Sequence, residues 1–217
     1  RREKHTPMNE QLTILATALL LGATTSVFAA SSTDLTITGT ITPAACTPTL
    51  ENGGVVDYRR ISAKDLNATT NTQLDEQTLE LTVSCGTAAT QFAIQPIDNR
   101  SDSQGPMPEH FGLGIINGSE KLGFYTLTLT NLNADVPSRL IQSADGGNTW
   151  SNIVDNTAIL RESLIAVGSL TPPFSPSDIT SATMDITVKP SINPTDGLTL
   201  TDEVQLDGSA TLQIVYL

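Results

Sequence analysis

Few side chains stand in spacings that support catalysis. Beyond residue 29 the chain has one histidine, His110, beside Glu109 in a proline-rich stretch. A serine, His110 and Asp98 or Asp102 could be drawn as a hydroxyl activated by an imidazole that a carboxylate orients. No G-x-S-x-G is present to set such a serine on a strained turn. Asp98, Asn99 and Asp102 could offer oxygens to calcium, but Arg100 sits among them and the EF-hand spacing is absent. The acidic neighbours Asp75-Glu76 and Asp202-Glu203 read as solvated strand ends, since 23 acids in the chain make adjacent pairs common by chance. Phosphate-cradling and dinucleotide-binding glycine patterns are missing too. The expectation is a protein that is not an enzyme and uses no cofactor or metal.

Two cysteines, Cys46 and Cys85, remain to be assigned. Their compartment follows from the N-terminus. Arg1, Arg2 and Lys4 precede an apolar run over residues 12–21, and small residues then lead to Val27-Phe28-Ala29. That is the order of a signal peptide, with cleavage expected after Ala29. The apolar run is too short for a membrane span, which needs roughly 20 residues. Residues 1–29 are therefore read as signal peptide and 30–217 as one mature domain. Export places the cysteines where thiols oxidise, so a Cys46–Cys85 disulfide is expected. Zinc would need about four ligands, and only His110 could join the two thiols. The bridge would close a loop worth roughly 4 kcal/mol by chain entropy.

Of eleven basic and 23 acidic residues, Arg1, Arg2, Lys4, Glu3 and Glu10 leave with the signal peptide. The mature chain then carries 8 basic and 21 acidic residues, a net charge of −13. Such a surface repels nucleic-acid phosphates and anionic lipid.

Ser143-Ala-Asp145-Gly-Gly147-Asn-Thr149-Trp150 fits S-x-D-x-G-x-T-W and resembles the Asp-box of sialidases and other propellers. There it is a hairpin turn rather than a catalytic element. A single copy cannot build a propeller of four-stranded blades. The expected role is a braced turn: Asp145 accepts backbone N–H groups and Trp150 packs beneath. Trp150 is also the candidate glycan contact, if its ring is free to stack on a sugar.

What must position any site is a set of strands. Residues 35–41, 79–83, 92–94, 124–129, 184–188 and 210–216 alternate apolar with polar side chains. Turn signals separate them, including Asn52-Gly53-Gly54, Asn117-Gly118, Asp145-Gly146-Gly147 and Asp207-Gly208. Short helical turns are expected only near 62–66 and within 156–164. This pattern predicts an all-β antiparallel sandwich. Its first strand, expected at residues 35–41, and its last, at 210–216, could leave an open sheet edge, which another strand can pair with.

Several features together resemble the chaperone–usher pilins. They are the signal peptide followed by the alternating 35–41 strand, the Pro43-Ala44-Ala45-Cys46 end, Cys85 closing a later strand, and Tyr216 in the penultimate place. Gly39, seven residues before Cys46, adds to the likeness. The resemblance implies an immunoglobulin-like sandwich with an incomplete strand complement. A periplasmic chaperone and an usher would handle it, and donor-strand exchange with neighbouring subunits would build a surface fimbrium for cell adhesion. Ala210, Leu212, Ile214 and Tyr216 would form the edge that the chaperone pairs with. Leu35, Ile37, Gly39 and Ile41 would be the inserting face of the donor strand. The competing expectation is a self-complete, secreted glycan-binding sandwich or tip adhesin module, with Trp150 as its anchor.

Overall fold

The computed structural model describes residues 35–38 and 45–217. Contacts divide the chain into two units, Arg1–Ile41 and Thr42–Leu217. In the first, residues 35–38 carry no strand pairing, and Leu35 and Ile37 are 86% and 87% exposed. The strand expected over 35–41 is thus not formed in its described part. Gly39, Ile41 and the expected signal peptide, residues 1–29, lie outside the described residues.

The second unit holds the strands: β1 Thr47–Leu50, β2 Thr72–Gln73, β3 Gln77–Ser84, β4 Phe92–Asp98, β5 Phe111–Gly112, β6 Ile115–Ile116, β7 Glu120–Lys121, β8 Gly123–Ala134, β9 Arg139–Ser143, β10 Ser151–Asn152, β11 Leu164–Gly168, β12 Ser181–Ile192 and β13 Ala210–Tyr216. Two antiparallel sheets result, ordered β1-β3-β12-β8-β5 and β10-β9-β11-β4-β13, with β2 on the end of β12 and β6-β7 as a small hairpin. The fold is an all-β, immunoglobulin-like sandwich. No described helix is long and apolar enough to cross a membrane.

Period-two alternation explains how the sheets meet. Leu79, Leu81 and Val83 of β3, Tyr125, Leu127 and Leu129 of β8, and Met184 and Ile186 of β12 face inward from the first sheet. Phe92 and Ile94 of β4 and Ile165 and Val167 of β11 meet them from the second. Phe124, one residue out of step with Tyr125, turns to the opposite face and stacks on His110 at 3.7 Å between ring centroids. The Asn117-Gly118 turn closes the β6–β7 hairpin with φ of 50° and 83°, values that glycine and asparagine tolerate best.

The short turn expected near 62–66 is the 3-10 turn Ala63–Asp65. No helix forms within 156–164: Asn156 and Glu162 have positive φ, and Leu164 opens β11. That strand is buried on both faces, so it shows no alternation that would distinguish it from a short helix. The Cys46–Cys85 disulfide is present. It sits at the head of the β1–β3 ladder, one step beyond the Thr47↔Ser84 pair.

Candidate functional site: an open sheet edge

β13 pairs with β4 from Ala210↔Asp98 to Tyr216↔Phe92 and is the edge of its sheet. Among the described residues no strand lies on its other side. The ladder's polarity can be read from its ends. Asn99 N–H donates to the Ser209 carbonyl, and Leu217 N–H donates to the Gln91 carbonyl. In an antiparallel ladder a residue's N–H and C=O point the same way, and the direction alternates along the strand. The odd positions therefore face β4. The backbone groups of Ala210, Leu212, Ile214 and Tyr216 face the open side.

The same four residues carry the inward side chains. Ala210, Leu212 and Ile214 are half-buried against the core, and Tyr216 is 50% exposed. Core-facing positions of an edge strand stay half-exposed when nothing covers them from the side. Here the uncovered side is a groove between the edges of the two sheets. A cavity of about 260 Å³ is walled by Leu50, Val56 and Tyr58 on one flank and by Leu206, Ala210 and Leu212 on the other. Its floor includes Leu79, Leu113, Tyr125, Leu127 and Ile186. A second cavity of about 750 Å³ continues it between residues 56–63 and 200–206, over Leu66, Leu122 and Ile192.

Both rims are backbone without a strand partner, broken by a left-handed Arg59 (φ 53°) on one and by a bend at 201–202 on the other. Among the described residues, no backbone hydrogen bond involves Val56, Asp57, Tyr58, Arg60 or Ile61 on one rim, or residues 200–206 on the other. Burial of a backbone group without a partner is unfavourable, so such rims stay open to water or to a pairing strand.

Both ends of β13 are tied down. At its start, Arg100 Nε and Nη2 donate to the two Asp207 carboxylate oxygens, each at 2.7 Å. That pairing holds Asp207 below its ordinary pKa. At its end, the Cys46 N–H donates to the Tyr216 hydroxyl at 2.7 Å. The penultimate tyrosine thus ties the last strand of one sheet to the disulfide at the head of the other. Across the second cavity, Arg60 and Glu203 form an exposed ion pair at 3.1 Å.

The other candidate residues stand apart from this groove. Asp145 braces the β9–β10 turn as the motif implies. Ser143 Oγ donates to Asp145 Oδ1 at 2.7 Å, Thr149 N–H to the same oxygen at 2.9 Å, and Thr149 Oγ1 to Oδ2 at 2.6 Å. The two threonine and serine hydroxyl donors, with the Thr149 amide, draw the Asp145 pKa down to about 2. Trp150 is half-buried against Ala93, Ile141, Leu164 and Ala166, and its indole N–H donates to the Gly147 carbonyl at 3.1 Å.

Asp98 is nearly buried, and its oxygens accept the N–H groups of Arg100 and Gly112, each at 2.9 Å. Those bonds use its lone pairs to shape the end of β4. Among the described residues no hydrogen bond joins His110 to Asp98 or Asp102. The His110 ring stacks on Phe124 and its Nδ1 is buried without a partner. Burial lowers the His110 pKa, Arg161 lowers it further, and Glu109 opposes both. Glu76 of the Asp75-Glu76 pair bonds Lys189 at 2.7 Å, and Glu203 of the other pair bonds Arg60.

Sequence reasoning missed the rims and Tyr58. One signal was readable. Val204, Leu206, Gly208 and Ala210 continue the β13 alternation upstream, and Val204 and Leu206 do turn inward.

The family described as "Protein of unknown function (DUF1120)" matches residues 35–118. Protein GltF of Escherichia coli (strain K12) is 28% identical, over 92% of this chain and 95% of its own length. The uncharacterized protein YhcF of the same strain is 24% identical, over 88% of this chain and 93% of its own. The likeness to both spans most of this chain and most of each relative.

Proposed function

We propose that this chain is a structural, pilin-like subunit, exported to the periplasm and joined to its neighbours in a surface fimbrium by strand exchange. The β13 edge, open above an apolar groove, carries the reading. It presents four outward-facing backbone positions and four inward side chains, which is what an added strand requires.

The occupant is a second copy of this chain, inserting residues 35–41. That segment has seven residues, as β13 does, and its apolar side chains Leu35, Ile37 and Ile41 alternate as a groove strand must. Among the described residues the sandwich's first strand begins at Thr47, which leaves residues 35–41 available as the insert. Groove and insert are different segments of the chain, so each copy can give to one neighbour and receive from another. Such a head-to-tail contact grows into a filament rather than closing as a dimer. Before assembly, a periplasmic chaperone would hold the edge at Ala210, Leu212, Ile214 and Tyr216, and an usher would deliver the subunit for exchange. Adhesion to a surface would follow from the fimbrium.

Size-exclusion chromatography with light scattering tests the reading. The mature chain should self-associate, and Ile37→Asp should give a folded monomer, because a carboxylate cannot enter the apolar groove. A peptide of residues 30–43 at a hundredfold excess over its Kd should stabilise that monomer by about 2.7 kcal/mol. A wild-type chain that stays monomeric at every concentration, and whose I37D variant ignores the peptide, would rule the reading out.

A further inference from the structure

The groove holds one buried side-chain polar atom that nothing among the described residues satisfies. Tyr58 lines both cavities, and its hydroxyl is buried with no hydrogen-bond partner among the described residues. A buried hydroxyl left unpaired is unfavourable, and a native protein keeps one where something else completes it. Burial first, and then the nearby Asp75, push its pKa up to about 12. It therefore keeps its proton and faces the groove as a donor. Leu79, Leu127, Ile186 and Val188 line the same cavity, and their side chains accept nothing.

The acceptor must come with the occupant. An inserted 35–41 strand turns hydrocarbon inward, and its threonine side chains point outward. Its backbone remains. Laid antiparallel on β13, the more stable arrangement, Ile41 comes level with Ala210, and Gly39 with Leu212. Because Leu212 presents its backbone groups to the open side, Gly39 pairs with it. The neighbouring carbonyls, of Thr38 and Thr40, then point away from β13, toward the opposite rim. That rim carries Tyr58, which lines the same 260 Å³ cavity as Leu212 from the other flank. Gly39 has no side chain to stand between the phenol and those carbonyls.

We infer that the Tyr58 hydroxyl seats the inserted strand by donating a hydrogen bond to a backbone carbonyl beside a second copy's Gly39, an inference that rests on strand exchange at this groove. Tyr58 is thus a positioning residue for the donor strand: it favours one register over slips that bring a larger side chain to the Gly39 place.

The test measures binding of the labelled 30–43 peptide by fluorescence anisotropy to the I37D monomer, with and without Tyr58→Phe. Y58F should weaken binding about fivefold to tenfold, the effect of one hydrogen bond to a buried donor. It should leave the melting temperature of the free protein unchanged or raised, since it removes an unpaired hydroxyl. A peptide carrying Gly39→Ala should lose more affinity for the parent than for Y58F. Unchanged affinity in Y58F, or a melting temperature that falls along with affinity, overturns the role of Tyr58 and leaves strand exchange standing. If the parent binds no peptide, strand exchange and this inference fall together.

Discussion

Removing the Cys46–Cys85 bond should destabilise the fold by about 4 kcal/mol. The bond joins residues 39 apart in sequence, and for a loop of that size chain entropy gives roughly this figure. Local structure cannot absorb the loss. β1 is only four residues long, its ladder to β3 has four residue pairs, and the disulfide closes the head of that ladder. Without the bridge, a four-residue edge strand is marginal. Both cysteines are buried, so replacing them with alanine creates little new exposure. For a domain of this size 1 kcal/mol moves Tm by about 2–4 °C, so the double variant should melt roughly 8–16 °C lower. Scanning calorimetry of the oxidised protein, the reduced protein and the Cys46→Ala/Cys85→Ala variant measures the shift. A difference of only a degree or two would refute the reasoning, because it would mean that β1 holds its place without the covalent tie.

Two further outcomes follow from single contacts. Tyr216→Phe removes the acceptor for the buried Cys46 N–H and should destabilise by about 1 kcal/mol, measured by urea unfolding; no change would mean that water replaces the hydroxyl. His110 binds its proton less tightly in the folded than in the unfolded chain, because burial and Arg161 disfavour the cation. Its contribution to stability is full above the unfolded pKa of about 6.5 and is lost as pH falls through that value toward the lower folded one. His110→Gln should flatten the fall in stability between about pH 7 and pH 5 in calorimetric scans, and an unchanged slope would assign that fall to other groups.

Residues that alternate cleanly revealed their strands. The 210–216 pattern coincides with β13, and 79–83, 92–94, 124–129 and 184–188 lie within β3, β4, β8 and β12. In β3, β8, β12 and β13 one face meets the core and the other carries mostly polar side chains, so burial leaves its mark at period two, whereas β4 is buried on both faces over residues 92–94. β11 was not legible because both its faces are covered. The disulfide was legible from an expectation of export rather than from any local pattern.

The groove was legible on only one side. Its β13 wall is a regular strand. Its rims are irregular chain without strand partners, and unpaired backbone writes no periodic code beyond Val204 and Leu206. Tyr58 had no signal at all: an orphaned hydroxyl is a property of depth, which only coordinates provide. Residues 35–41 were readable as an alternating segment. That the first strand among the described residues starts at Thr47 could not be known before β1 was seen to pair with β3 behind the disulfide.

Residue-resolved amide hydrogen exchange on the folded I37D monomer, with and without the 30–43 peptide, tests strand acceptance most directly. Thr211, Gln213 and Val215, whose amides point to β4, should be protected in both states. Leu212 and Ile214, whose amides point to the open edge, should exchange fast in the monomer and become protected when the peptide binds. If Leu212 and Ile214 are already slow in the monomer, or stay fast in saturating peptide, then β13 is not an acceptor edge.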